Sequence, residues 1–283
     1  MADFYLTLPS NSSSAYFNDN KLSNYKTRLE TNIDLEGEYD VGLSEIIFPR
    51  NWYSVKKGAK LTVSCSNCPN VEPEFNDVQS QRPATYSIEL RLAPGYYETM
   101  DDLIKTINAT VELVFAKPIA SWTKDGVARR VNEKSWPSFR LNELNQHVYV
   151  TLQENMIIQF EETLATILGF DDSQLLISNY SKTQVSIKSN NVCDIFGGIH
   201  HMFVYCDVLE SVAVGHTSAP LLRIVETKAK HREIVYKNYQ NIVYSPLRKK
   251  TFDTIEVDIR DHLGQPIAFK ASTVIAVLHF KKK

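Results

Sequence analysis

A chain of 283 residues, 43% of them apolar and 23% charged, is long enough to bury a substantial core without disulfide or metal staples. Its formal net charge of -2 supplies no global field toward nucleic acid or an anionic membrane. No apolar run reaches the roughly 20 residues of a membrane helix, and the opening MADFYLTLPSNSSS lacks the features of a secretory signal, so the four cysteines are expected as free thiols in a reducing compartment.

Phe4–Leu8 reads as a short strand closed by Pro9. Tyr25, Thr27 and Leu29 alternate with Lys26, Arg28 and Glu30, the period of a half-buried strand. Tyr39–Phe48 becomes apolar on both faces and is expected at the centre of a sheet, with Pro49 ending it. Trp52–Val55 and Leu61–Cys65 read as further strands, and 67–82 as an exposed connection rich in Asn, Pro, Glu, Asp and Gln. Tyr86, Ile88, Leu90 and Leu92 then share one face of a strand.

The strongest helix follows. Thr99 is a good N-cap, Asp101 and Asp102 suit the first turn, and Met100, Leu103, Ile104, Ile107, Val111, Val114 and Phe115 fall on one stripe. The charged stretch 126–137 reads as a loop or hairpin tip. Phe139–Leu141, Val148–Leu152 and Met156–Phe160 are strands, and Glu161–Leu168 is a short helix stopped by Gly169. Strands resume at Leu175. Phe203–Tyr205 and Leu221–Val225 flank a turn at Gly215, Ile255, Val257 and Ile259 alternate with charges, and Val274–Phe280 is apolar on both faces.

Many short strands with turn signals between them argue a mainly β protein, a sandwich or barrel, while the helical middle third argues an insertion. The reading is a jelly-roll β-sandwich in two parts, 1–66 and 191–283, with a small α+β insertion at 67–190.

Chemistry is sparse. Cys65 and Cys68 form a CxxC pair, half of a structural zinc site or simply two thiols on a loop. On a strand His200 and His201 would face opposite sides, one packed and one solvated. Cys206 has no evident activating partner, and Asp171-Asp172 resembles a helix-end turn. No cofactor and no metal are assigned, and an enzyme is the least supported class. Trp122 and Trp136 leave a carbohydrate-binding reading open.

The stretch 223–250 is basic, with Arg223, Lys228, Lys230, Arg232, Lys237, Arg248, Lys249 and Lys250 opposed only by Glu226 and Glu233, and with Tyr236, Tyr239 and Tyr244 interleaved. Basic residues track phosphates and aromatic faces stack bases, so a nucleic-acid-binding module is one reading. A charged edge facing an acidic protein partner is the other, and it makes Arg223, Lys228, Lys230, Arg232 and Tyr236 candidates for a subunit interface.

Several segments resemble one family. They are FYLTLPSNSS at Phe4–Ser13, EYDVGLSEIIFPRNW at Glu38–Trp52, PGYYETMDDLIKTIN at Pro94–Asn108 and TLATILGF at Thr163–Phe170. VYCDVLE with VGHTSAPLLRIV, and FDTIEVDIRDHLGQPIAF with VLHF, complete the set. They are similar to the minor capsid protein of Polinton (Maverick) elements, large virus-like DNA transposons, although the family pattern has an acidic residue where this chain has His216. The resemblance implies a penton-type single jelly roll. It also implies homopentamers at the vertices of an icosahedral virion capsid, among double-jelly-roll major capsid subunits, with no catalytic residue and no membrane partner. The protein would be made inside the host cell.

Overall fold

The computed structural model describes residues 2–66, 85–115, 136–172, 174–178 and 184–283. Three strands open the chain: β1 (Phe4–Pro9), β2 (Asn24–Asp34) and β3 (Tyr39–Pro49). Then come β4 (Lys60–Ser66), β5 (Thr85–Arg91), helix α1 (Met100–Phe115), β6 (Ser138–Asn142), β7 (His147–Gln153), β8 (Met156–Phe160), helix α2 (Glu162–Leu168), β9 (Leu175–Ile177) and β10 (Gln184–Lys188). The last part holds β11 (His201–Cys206), β12 (Val212–Val214), β13 (Thr217–Ala219), β14 (Leu221–Glu226), β15 (Ile234–Asn238), β16 (Ser245–Pro246), β17 (Thr251–Arg260) and β18 (Ile275–Lys282).

The chain forms two compact units. One joins Met1–Trp52 to Ile199–Lys283, and the other is Tyr53–Gly198. The sequence reading sets these divisions at 66/67 and 190/191. The difference traces to β4, which pairs with β5 and β8 and buries Leu61 and Val63 in the second core. Trp52–Val55 is not a strand. Trp52 is buried in the first core and Val55 in the second, so their apolar spacing reports two cores and not a period.

The first unit is a jelly-roll sandwich. One sheet runs β1-β18-β3-β15, with β16 also on β3, and the other runs β14-β11-β17-β2. All these pairs are antiparallel. Successive strands switch sheets, from β1 to β2 to β3 and again from β14 through β15, β17 and β18, which is the connectivity of a jelly roll. Inner faces alternate with outer ones. Phe252, Ile255, Val257 and Ile259 of β17 are buried, as are Val41, Leu43, Ile46 and Phe48 of β3. They share one core with Met202, Val204, Leu222, Leu278 and Phe280. Each such side chain contributes about 1.5–3 kcal/mol when fully buried. As the two-sided apolar pattern predicted, β3 and β18 are interior strands of their sheet.

The second unit has sheets β5-β4-β8-β9 and β10-β7-β6. The predicted stripe of α1 is its buried face except at Val114, which packs half-buried against the same core. Thr99 Oγ1 accepts from the Asp102 N–H at 3.2 Å while the Thr99 N–H donates to Asp102 Oδ2 at 3.1 Å, a reciprocal cap. Asn108 fastens α1 to β6 by bonding both the N–H and the carbonyl of Phe139. Gly169 ends α2 at φ 81°, the left-handed region that favours glycine.

Candidate assembly surface

The five residues picked out in the basic stretch lie along the β14–β15 margin of the sandwich, and they divide into two kinds. Arg223 sits opposite Val204 on β14, beside a bulge. Its guanidinium stacks 3.6 Å from the Tyr239 ring centroid and Nη1 donates to the Asn241 carbonyl at 3.3 Å. Its charge is thus used within the chain, closing the sandwich rim. Burial pushes the Tyr239 hydroxyl above its usual range, while Arg223 pulls it the other way.

Lys228, Lys230 and Arg232 point into solvent from the β14–β15 connection. Ala229 and His231 between them are half-buried, and Ala229 packs on the core. The backbone here is firmly held. Thr227 bonds the carbonyls of His200 and Ile199 at 3.0 and 2.6 Å. Glu233 Oε2 accepts from the Lys230 N–H at 2.9 Å, and the Arg232 N–H donates to the Arg50 carbonyl at 2.8 Å. Arg232 itself adopts φ 64°, an uncommon left-handed conformation for a residue with a Cβ. Arg50 beneath it is buried, its guanidinium 4.0 Å from the Trp52 ring. Among the described residues no carboxylate side chain forms an ion pair with Lys228, Lys230 or Arg232, whereas Lys237 pairs with Glu226 at 3.4 Å.

Tyr236 continues the same line on β15 and is 56% exposed, beside Ile234 at 55%. This apolar end reaches across the outer face of the first sheet. Pro9 pairs with Ile275, Ile275 with Ile47, and Ile47 with Tyr236. On the same face His279 lies between the Tyr5 and Tyr244 rings and shares a 2.7 Å hydrogen bond with the Tyr244 hydroxyl. The sequence reading misses this outer apolar row. Its signal is the two-sided apolar pattern of Tyr39–Phe48 and Val274–Phe280, which a central place in the sheet does not by itself require. An antiparallel sheet ordinarily keeps one face polar.

The other candidates do not converge. His200 and His201 are both exposed, because β11 begins only at His201 and no strand alternation acts on His200. Cys206 is buried and its thiol is pushed up to about 12 by desolvation, the opposite of an activated nucleophile. Cys68 lies outside the described residues, as do Trp122 and the side chain of Cys65; Trp136 is half-buried. Asp171 accepts from the side-chain amides of Asn190 and Asn191, a structural role at the end of α2. Among the described residues no three His, Cys, Asp or Glu side chains gather to hold a metal ion, and no helix is long and apolar enough to cross a membrane.

An open groove of about 440 Å³ on the outer face of the second sheet is lined by Tyr205, Asp207, Pro220, Glu256, Asp258 and Arg260. Its acids are largely matched locally. Asp258 accepts from Arg260 Nε at 2.6 Å, and Asp207 takes Lys249 Nζ at 2.6 Å and the Glu256 N–H at 2.8 Å. The polar groups of this groove therefore build structure, whereas Lys228, Lys230 and Arg232 on the β14–β15 margin are among the cations that form no ion pair among the described residues.

No family model matches the chain, and no curated protein matches it. Among solved structures it is similar to the penton protein of mavirus, with a TM-score of 0.49 and 14% identity over 99% of this chain and 100% of that one.

Proposed function

We propose that the chain is a penton-type minor capsid protein of the Polinton (Maverick) kind, a structural subunit and not an enzyme. The observation that carries this reading is the strand order of the first unit. Sheets β1-β18-β3-β15 and β14-β11-β17-β2 form a single jelly roll whose interior is filled by side chains such as Leu43, Met202, Val257 and Leu278. Jelly rolls serve as viral capsid, lectin and cupin domains. A ligand-binding member needs room or ligating groups inside, and here the space between the sheets is occupied. Function is thereby moved to the outside, where an apolar sheet face and a rigid cationic margin are features of an assembling subunit. The segments resembling the family fall on β1, β3, α1, α2, β11, β14, β17 and β18, so the likeness follows the framework of both units.

In this reading five copies form a ring at each vertex of the capsid, and double-jelly-roll major capsid subunits surround it. The jelly roll is the ring-forming part, and the unit inserted between β3 and β11 is an appended domain. Arg223 supports the margin from inside, while Lys228, Lys230, Arg232 and Tyr236 form part of a subunit contact. Native mass spectrometry of the purified chain, with electron microscopy of the oligomer, should show five-fold rings. A strict monomer at every concentration, which also fails to co-assemble with the major capsid protein, would overturn the proposal. The nucleic-acid reading loses support from the ring contacts: Arg223 covers one face of Tyr239, and Lys281 lies over the Tyr244 ring, so both rings are already engaged within the chain.

A further inference from the structure

A closed ring needs two different surfaces that fit each other, because each subunit meets one neighbour on one side and another on the opposite side. Both surfaces can be read from this chain. Every even-numbered residue from 228 to 238 is exposed: Lys228, Lys230, Arg232, Ile234, Tyr236 and Asn238. Every even-numbered residue from 28 to 38 is exposed as well: Arg28, Glu30, Asn32, Asp34, Glu36 and Glu38. The first ridge carries three cations at alternating positions and the second carries four carboxylates. Both runs leave the regular strand, the first in the turn at Arg232 (φ 64°) and the second at Gly37 (φ 101°), so each presents charges on a short connection.

Their placement is heterologous. β15 ends the first sheet and β2 ends the second, while β14, which leads into the cationic ridge, is the far strand from β2 in the sheet β14-β11-β17-β2. The registers His201↔Glu226 and Thr251↔Asp34 put the β14–β15 connection and the β2–β3 connection at opposite ends of that sheet. Within one chain the two ridges are thus held apart. Most of the carboxylates are also little used internally. Asp34 accepts from Thr251 Oγ1 at 2.8 Å, and Glu38 lies 4.0 Å from Lys283, which is closer to Asp40 at 3.1 Å. Glu30 and Glu36 form no ion pair among the described residues. Backbone bonds from Leu35 to Lys250 and from Lys283 to Glu38 fix the acidic ridge, as those of Thr227 and Arg232 fix the basic one.

We propose that the cationic ridge 228–232 docks on the acidic ridge 30–38 of a second copy of this chain, with Ile234 and Tyr236 extending the contact as its apolar part. The proposal rests on the ring-forming reading above and names the two surfaces that meet in it. Such a contact is salt-sensitive, since its charges are exposed before docking.

Charge exchange tests it. One variant carries Lys228→Glu, Lys230→Glu and Arg232→Glu, a second carries Glu30→Lys, Glu36→Lys and Glu38→Lys, and a third carries all six. Far-UV circular dichroism checks that each is folded, and analytical ultracentrifugation reads the assembly. Each triple variant should associate about a hundredfold more weakly than wild type, because like charges then face each other, and the six-fold exchange should restore assembly. Wild-type assembly by either folded triple variant would overturn the proposed contact and leave the penton reading standing. So would a folded six-fold variant that stays monomeric. DNA binding that is lost in the basic triple variant while its rings persist would assign the ridge to nucleic acid instead. A wild-type chain that never associates would overturn both proposals.

Discussion

Tyr25 shows how a single side chain ties the sandwich together and to pH. It is fully buried on β2, and its hydroxyl donates to the Leu8 carbonyl on β1 at 3.1 Å, a bond between the two sheets. Desolvation by burial raises its pKa well above the ordinary 10.0, with Cys206 adding in the same direction. The folded state therefore holds this proton more tightly than the unfolded one does. That stability is fully present below pH 10.0 and is lost as pH rises beyond it. Tyr25→Phe should cost about 1–2 kcal/mol at pH 8, because the Leu8 carbonyl loses its partner, and should flatten the alkaline loss. Urea unfolding at pH 8 and pH 11 checks both, and an unchanged alkaline slope in the variant would refute the assignment. Arg223 makes a different point. Sequence showed a charge inside an apolar run, and the choice of a stacking partner, Tyr239 sixteen positions later, belonged to the fold.

At the scale of elements, β14 and β3 carry sharper tests. Leu222 is 3% exposed within the shared core, so Leu222→Asp places an unpaired charge there. The expected loss exceeds about 3 kcal/mol, against less than about 0.5 kcal/mol for the exposed Lys228→Ala. Thermal unfolding of the two variants side by side measures the contrast, and a native-like transition for Leu222→Asp would show the position to be wrongly placed. Gly42 of β3 has ordinary backbone angles but no room. A Cβ there would overlap Ile242 Cγ2 and the Val243 carbonyl oxygen, where the segment between β15 and β16 crosses the sheet. Gly42→Ala should cost about 1–3 kcal/mol by forcing that segment away. Hydrogen exchange should quicken at Tyr239 N–H, which bonds Ser44 at 2.9 Å. Unaltered protection at that amide would count against the close approach. Strands β2 and β17 were legible because period-two burial is written into neighbouring residues, and β3 and β18 because their apolar runs cover both faces. The exposed hairpin of β12 and β13 was not, because it buries almost nothing and leaves no pattern to read.

For the whole molecule, two separate cores make a thermodynamic claim. Residues such as Phe48, Val204 and Val257 bury together, and Ile107, Val150 and Leu168 bury together elsewhere in the chain. Calorimetric unfolding should deviate from a single two-state transition, and a calorimetric enthalpy equal to the van't Hoff value would contradict independent cores. By itself the sequence determined the strand-rich class, the interior strands β3 and β18, helix α1 with its Thr99 cap, helix α2 with its Gly169 stop, and the interruption of the sandwich. Those features depend on periodicity and on neighbours within a few positions. Only the tertiary structure decided which core each apolar segment joins, that Trp52 and Val55 part company, and that the cations of 228–232 and the carboxylates of 30–38 stand on opposite margins. These depend on strand order and register, which bring residues far apart in the chain into contact, or hold them apart, by pairings that no local spacing records.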